Sequence, residues 1–320
     1  MTGESATQPE KPAERGRVLV GPAGWSYPDW KGIVYPRKRP RGFHEAEYLA
    51  QFFDTIEINT SFYSPLDPAN CRQWLARVAG NPRFLFTAKL WQRFTHEGSL
   101  ADADVAEVRP GFDALHAAGR LGAVLLQFPF SFHNTPENHQ HLAKLLELFH
   151  EYPLVVEMRH STWNAPEFYS FLHHHGTGFC NIDQPLIGKS IRPSARSTSA
   201  VGYVRLHGRR YDTWFSDDPA SPPEERYNYL YSTEELEPWA ERTEHVAAHS
   251  KTTFVVANNH FQAKSIVNAL QLIHVLSGEK VKVPETLRQH YPQLEAIASE
   301  PAREGTLFPL GTSDTPRSTS

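Results

Sequence analysis

The sequence predicts an α/β chain in which eight parallel strands alternate with helices and close into a TIM-like (β/α)8 barrel, a single domain. Three observations predict it. Eight short runs rich in branched and aromatic residues recur along the chain, each too short for a helix and apolar enough to be buried on both faces, as a parallel strand is. Helical segments with recognisable start signals follow most of them. The runs also turn polar or charged at their C-terminal ends, where a barrel assembles its site. The run Leu154–Met158 shows the pattern: Val155, Glu157 and Arg159 share one face, Val156 and Met158 the other. A doubly wound open sheet is the alternative, and it wants a glycine-rich phosphate loop after an early strand. The stretch GPAGWSYPDW (21–30) is not such a loop.

The 320 residues divide into a polar segment, 1–16, a barrel domain, 17–298, and a second polar segment, 299–320. Both ends lack apolar content and read as disordered tails, and the first does not resemble a signal peptide. No apolar run approaches the roughly 20 residues of a membrane span. Cys71 and Cys180 have no metal-type spacing and read as reduced core thiols of a cytoplasmic protein. A net charge of −4 argues against coating by nucleic acid, while leaving room for a local basic patch.

Taken in order, the first strand is Arg17–Gly21. The loop after it holds Trp25, Tyr27 and Trp30, which either wall a ligand pocket or pack the loop itself. PRKRPR (36–41) is either a solvated charge run or an anion-steering rim. A helix over Phe43–Phe53 precedes strand two, Asp54–Asn59, with Glu57 and Asn59 on one face. Asp67-Pro68 opens the next helix as cap and first-turn proline. Strand three is Arg83–Lys89, with Leu85, Thr87 and Lys89 aligned. The helix around Ala103–Ala118 carries Pro110 and Gly111, which predict a kink or a split.

Strand four, Leu121–Gln127, ends in Gln127, and Thr135-Pro136 opens a helix whose Leu142, Leu145, Leu146 and Phe149 face inward. After strand five comes a helix over Pro166–His175, closed by Gly176. Its three terminal histidines point in different directions and do not suit one metal. Strand six, Thr177–Asp183, aligns Phe179, Asn181 and Asp183, and strand seven, Val201–His207, aligns Tyr203, Arg205 and His207. A long insertion, 208–231, follows; such loops are functional or disordered. Ser232–Glu235 is a capping box starting helix seven. Strand eight, Thr253–Asn258, leads into a helix from about Phe261 to Leu276, with Gly278 at its end.

Eight ordered blocks carry a family resemblance: GPAGWSYPDWKGIVYP (21–36), FFDTIEINTSFYSPL (52–66), FLFTAKLWQRFTH (84–96), LGAVLLQFPFSF (121–132), VVEMRHSTW (155–163), YVRLHGR (203–209), RYNYLYSTEEL (226–236) and VVANNHFQAKSIVNALQL (255–272). In these the chain resembles the domain of unknown function 72 family, also called YecE-like. The resemblance implies a TIM-like barrel and names no reaction. One departure is Ala257, where relatives tend towards phenylalanine before the paired asparagines.

Projected onto the barrel mouth, the candidate catalytic residues are Glu57, Lys89, Glu157, Asp183 and His207. The candidate substrate-binding residues are Trp25, Tyr27, Asn59, Gln127, Arg159, Trp163, Arg205, Asn258 and Asn259. Isolated charges would be costly to bury, so pairs such as Glu157 with Arg205 or Lys89 are expected. A self-satisfied ion network plugging the barrel would account for the same residues. A plug of Val, Ile and Leu would need less desolvation, which favours a ligand site. A divalent metal would use Glu57, Glu157, Asp183 and His207, but the interleaved Lys89, Arg159 and Arg205 repel it, so no cofactor is expected.

Metal-free acid/base chemistry fits better, with His207 or a pKa-shifted Glu157 moving a proton and Lys89 or Arg205 steadying the developing anion. A Schiff base through Lys89 is a further route. Arginines and flat aromatic faces point to a small anionic ligand, phosphorylated, nucleotide-like or sugar-like. The alternatives are a nucleic-acid binding or processing protein and a binding module without catalysis.

Overall fold

Branched residues crowd the sheet and the helices bury their apolar stripes against it. In a computed structural model, residues 16–212 and 223–300 are described. The strands are β1 (Arg17–Pro22), β2 (Thr55–Ile58), β3 (Leu85–Lys89), β4 (Leu121–Gln127), β5 (Leu154–Glu157), β6 (Gly178–Asp183), β7 (Val201–Leu206) and β8 (Thr252–Ala257). They form one sheet in the order β1-β8-β7-β6-β5-β4-β3-β2, and every pair in it is parallel. The two ends of that order meet through a bridge between Ala23 and Glu57, with Gly24 N donating to Glu57 O at 2.8 Å. The barrel predicted from the strand count is therefore the fold.

Two glycines let it close. A Cβ on Gly21 would stand 1.9 Å from the carbonyl oxygen of Thr55, so only a bare backbone passes at the β1–β2 seam. Between β3 and β4 the register shifts: Phe86 partners Leu121 and Thr87 partners Ala123, which leaves Gly122 as the extra residue. A Cβ there would lie 2.3 Å from the ring of Phe254 on β8.

The helices are α1 (Glu45–Leu49), α2 (Pro68–Arg77), α3 (Gln92–Thr95), α4 (Asp102–Ala117), α5 (Pro136–Leu148), α6 (Pro166–His174), α7 (Thr233–Ala247), α8 (Lys264–Ser277) and α9 (Glu285–His290). Asp67 caps α2 by accepting from Ala69 N, Thr135 caps α5 by accepting from Asn138 N, and Ser232 with Glu235 forms a reciprocal box at α7. Leu142, Leu145, Leu146 and Phe149 are buried, as their spacing required.

Two expectations need correction. The helix predicted over Phe43–Phe53 shrinks to α1, because the chain must turn at Ala50 and return Phe53 to the core before β2. Helix α4 runs unbroken through Pro110, because Val105 and Val108 before it and Phe112 and Leu115 after it bury against one surface. Helix α9, which the periodicity did not reveal, ties the first loop to the last: Thr286 Oγ1 donates to Val34 O at 2.7 Å.

The tails predicted over 1–16 and 299–320 lie outside the described residues except for Gly16, Ser299 and Glu300, and so do residues 213–222 of the insertion. Among the described residues, no helix is long and apolar enough to cross a membrane. Cys71 and Cys180 are buried free thiols.

Candidate active site at the barrel mouth

Parallel strands bring all their C-terminal ends to one side, so inward residues at those ends must meet. Arg205, fully buried on β7, is where they meet. Its two terminal nitrogens donate to Glu57 Oε1 at 2.7 Å, Glu157 Oε2 at 2.6 Å and Gln127 Oε1 at 2.9 Å. Tyr203, one inward step below, donates to Glu57 Oε2 at 3.0 Å and lies 2.9 Å from Thr87 Oγ1. Arg159 donates to Glu157 Oε1 from Nε at 3.2 Å and from a terminal nitrogen at 2.8 Å. The pair expected between Glu157 and Arg205 is present, whereas Lys89 pairs with Glu57 instead, Nζ to Oε1 3.5 Å.

The electrostatics assign protonation states. Burial raises the Glu157 carboxyl, but Arg205, His207 and Arg159 outweigh it and hold the group well below the usual carboxylate range. Glu157 is thus a fixed anion, poorly suited to giving up a proton. Burial, with Arg159 and Arg205 nearby, lowers His207 to about 3, against the pull of Glu157. Asn258 Nδ2 donates to His207 Nδ1 at 3.0 Å, which leaves the ring proton on Nε2, 3.3 Å from Glu157 Oε1. A neutral imidazole with both nitrogens engaged positions its neighbours; it is not a free base.

Lys89 differs. Its ammonium is buried, Glu57 attracts it and Arg205 repels it, and the balance lowers it to about 8. The lysine opens onto a cavity of about 450 Å3, together with Arg159, Gln127, Asn59, Asn258 and Tyr27. Within the ion network, Glu57 and Glu157 face Arg159, Arg205 and Lys89, so the network carries one positive charge in excess while Lys89 is protonated, and Arg226 on the cavity wall adds another. Burial and the nearby Lys89 lower His260, on the cavity wall, to about 4. Tyr27 is fixed there by donating to Ala23 O at 2.8 Å and accepting from Asn59 Nδ2 at 2.9 Å.

Of the residues predicted from sequence, Tyr27, Asn59, Lys89, Gln127, Arg159 and Asn258 line the cavity, and Glu57, Glu157, Arg205 and His207 form the ion network with them. Four others sit elsewhere. Asp183 is aligned with Phe179 and Asn181, but on the helix-facing side. Cys180 points inward, its Sγ 3.8 Å from Glu157 Oε2, so its strand neighbours point out. There Asp183 accepts from Arg209 at 2.8 and 3.1 Å. Trp163 is fully buried, stacked on Phe132, with Nε1 donating to Phe132 O at 2.7 Å. Trp25 packs edge-on against Trp74 of α2, behind the barrel wall. Asn259 donates to Tyr229 O and Asn268 Oδ1, a tie between loop and α8.

The cations of 37–41 do not line the cavity, and Arg39 pairs with Glu45. Among the described residues, no group of three or more His, Cys, Asp and Glu side chains stands ready to hold a metal. Asp183, on the far face, drops out of the set considered for one.

The cavity also has walls the strand pattern missed: Phe62, Tyr63, His96, Phe130, Arg226 and Tyr227. All lie outside the strands, where no periodicity marks direction. The aromatic density of 60–63 and 226–231 was the available signal.

Residues 19–293 match the model of the family described as "Protein of unknown function DUF72". The chain is 29% identical over 278 residues to UPF0759 protein YunF of Bacillus subtilis, covering 82% of this chain and 95% of that protein. A crystal structure of a DUF72 family protein from Thermotoga maritima is similar at 33% identity and a TM-score of 0.71, covering 81% of this chain and 99% of that one. One from Enterococcus faecalis, at 21% identity and a TM-score of 0.69 over 81% of this chain and 95% of its own, shares the fold.

Proposed function

The chain belongs to the DUF72 family, and from the geometry of its barrel mouth we propose that it binds a small anionic ligand there and acts as an acid/base enzyme through Lys89. The observation that carries this reading is the Lys89 amine. It opens onto the cavity beside Arg159, is held by a carboxylate 3.5 Å away, and is lowered to about 8. A lysine so poised has an appreciable neutral fraction near physiological pH in the free site, and the smaller fraction that stays neutral beside a bound anion can take a proton from the ligand. Glu57 then stabilises the ammonium formed, and Arg159 and Asn258 hold the ligand's anionic group. The Arg205–Glu57–Glu157 network beneath fixes the geometry, so little reorganisation is needed as charge develops.

Metal chemistry has less support, since Arg205 already occupies an oxygen of each carboxylate. Nucleic-acid binding has less too, because none of the 37–41 cations lines the cavity. Two buried free thiols fit a reducing, cytoplasmic setting.

The test begins with calorimetric titration of inorganic phosphate across pH. Affinity is expected to be highest below pH 8 and to fall as Lys89 loses its proton above it. The bound anion favours the ammonium, so the midpoint of the complex lies higher. Lys89→Met is expected to bind at least about tenfold more weakly and to flatten the profile, a loss of one charge contact of roughly 1.5 kcal/mol or more. Deuterium wash-in from D2O, followed by NMR across phosphorylated carbonyl compounds, then reads proton abstraction. Phosphate binding with no wash-in would leave a binding module, and equal affinity in Lys89→Met would remove Lys89 from the site.

A further inference from the structure

Beside the mouth lies a second hollow of about 460 Å3, walled by Tyr27, Asp29, Tyr63, Tyr227, His260 and Phe261. Tyr27, Tyr63, Tyr227 and His260 also wall the mouth cavity, so the two spaces adjoin along these four side chains. His260 stacks on Tyr27 with centroids 4.4 Å apart and planes at 13°, and Tyr227 leans on His260 at 4.8 Å. Tyr63 stands at the rim, 68% exposed, an aromatic ring with little of its own surface covered.

The shelf is built on an expensive backbone. Gln262 and Ala263 have φ of 50° and 64°, a region that residues with side chains avoid. Three long-range bonds hold that turn: Gln262 N donates to Asp29 Oδ2 at 2.6 Å, Tyr291 Oη donates to Gln262 O at 2.6 Å, and Trp30 Nε1 donates to His260 O at 2.9 Å. Strain of this kind concentrates at sites that must hold a fixed shape.

We propose that this shelf receives the planar base of a nucleoside monophosphate whose phosphate lies at Lys89 and Arg159. The proposal rests on the reading of the mouth as an anion site and names the ligand class for it. Aromatic side chains dominate the lining of the shelf, and among the described residues Asp29 is its one carboxylate. A sugar ring would need hydrogen-bonding groups for several hydroxyls, whereas a flat base needs faces to stack on and few polar contacts. A net charge of −4 disfavours a long phosphate backbone over a single phosphate.

Titration at one fixed salt concentration with inorganic phosphate, ribose 5-phosphate, adenosine monophosphate and a short oligoadenylate tests it. Adenosine monophosphate is expected to bind roughly ten- to a hundredfold more tightly than ribose 5-phosphate, the range that base stacking supplies. In Tyr63→Ala, an exposed position that folding does not depend on, that ratio is expected to fall towards one. Equal affinity for the two phosphates in the wild type would overturn the shelf and leave the anion site standing. No binding of any phosphate would overturn both. Oligoadenylate binding far above the mononucleotide would overturn the nucleoside monophosphate as ligand in favour of a strand.

Discussion

Arg205 keeps its charge in a fully buried position because two carboxylates and one amide oxygen surround it. Removing one member of such a group leaves the others charged and unpaired. Arg205→Met is therefore expected to lose about 3–5 kcal/mol of stability in urea denaturation; a loss below about 1 kcal/mol would mean that Lys89 and Arg159 suffice to neutralise the two glutamates. At this scale Glu57, Lys89, Glu157 and Arg205 were legible in the sequence, since charged residues inside apolar runs have few affordable places in a fold. Asp183 obeyed the same rule and still lay on the other face. A parallel strand buried on both sides gives no apolar/polar contrast to say which face is inner, and the inward Cys180 and the cavity-lining Gln184 settle it.

Elements are held in place by close backbone approaches that propensity does not report. The seam between β1 and β2 rests on few hydrogen bonds, and Gly21 passes it because it lacks a side chain. Gly21→Ala should force β1 off Thr55 and cost upwards of about 3 kcal/mol, as a clash with backbone that cannot yield. Gly80→Ala, with open space around it, should change stability by less than about 0.5 kcal/mol. Similar thermal midpoints for the two variants would show that the seam adjusts freely. Strand β4 and the caps of α2, α5 and α7 stood where the sequence put them. The short α1 and unbroken α4 did not follow from local signals, because the distance back to the sheet and a shared packing surface overrode propensity.

For the molecule as a whole, the mouth network makes stability fall with acid. The folded chain keeps His207 neutral down to about 3, while an unfolded histidine takes a proton below about 6.5. Between those values the unfolded state binds more protons, so stability falls as pH falls through that window and is unaffected above it. Glu157, held below its ordinary range, adds to the loss further into acid, and His260, lowered to about 4, acts in the same direction. Between pH 7 and pH 4.5 the wild type is expected to lose roughly 2–3 kcal/mol more than His207→Gln, read from urea midpoints. Parallel pH profiles would mean that the folded chain takes up the proton after all.

Period-two runs, helix caps and the polar strand ends determined the barrel and the side on which its charged residues gather, because those features follow from covalent geometry and burial along a short stretch of chain. Tertiary structure alone decided that Lys89 opens onto the cavity while His207 is locked, that Trp25, Trp163, Asp183 and Asn259 serve packing and loop ties, and that Tyr63, Tyr227 and His260 wall a shelf. Each of these depends on which segments distant in sequence come within a few ångströms, and no local pattern encodes that distance.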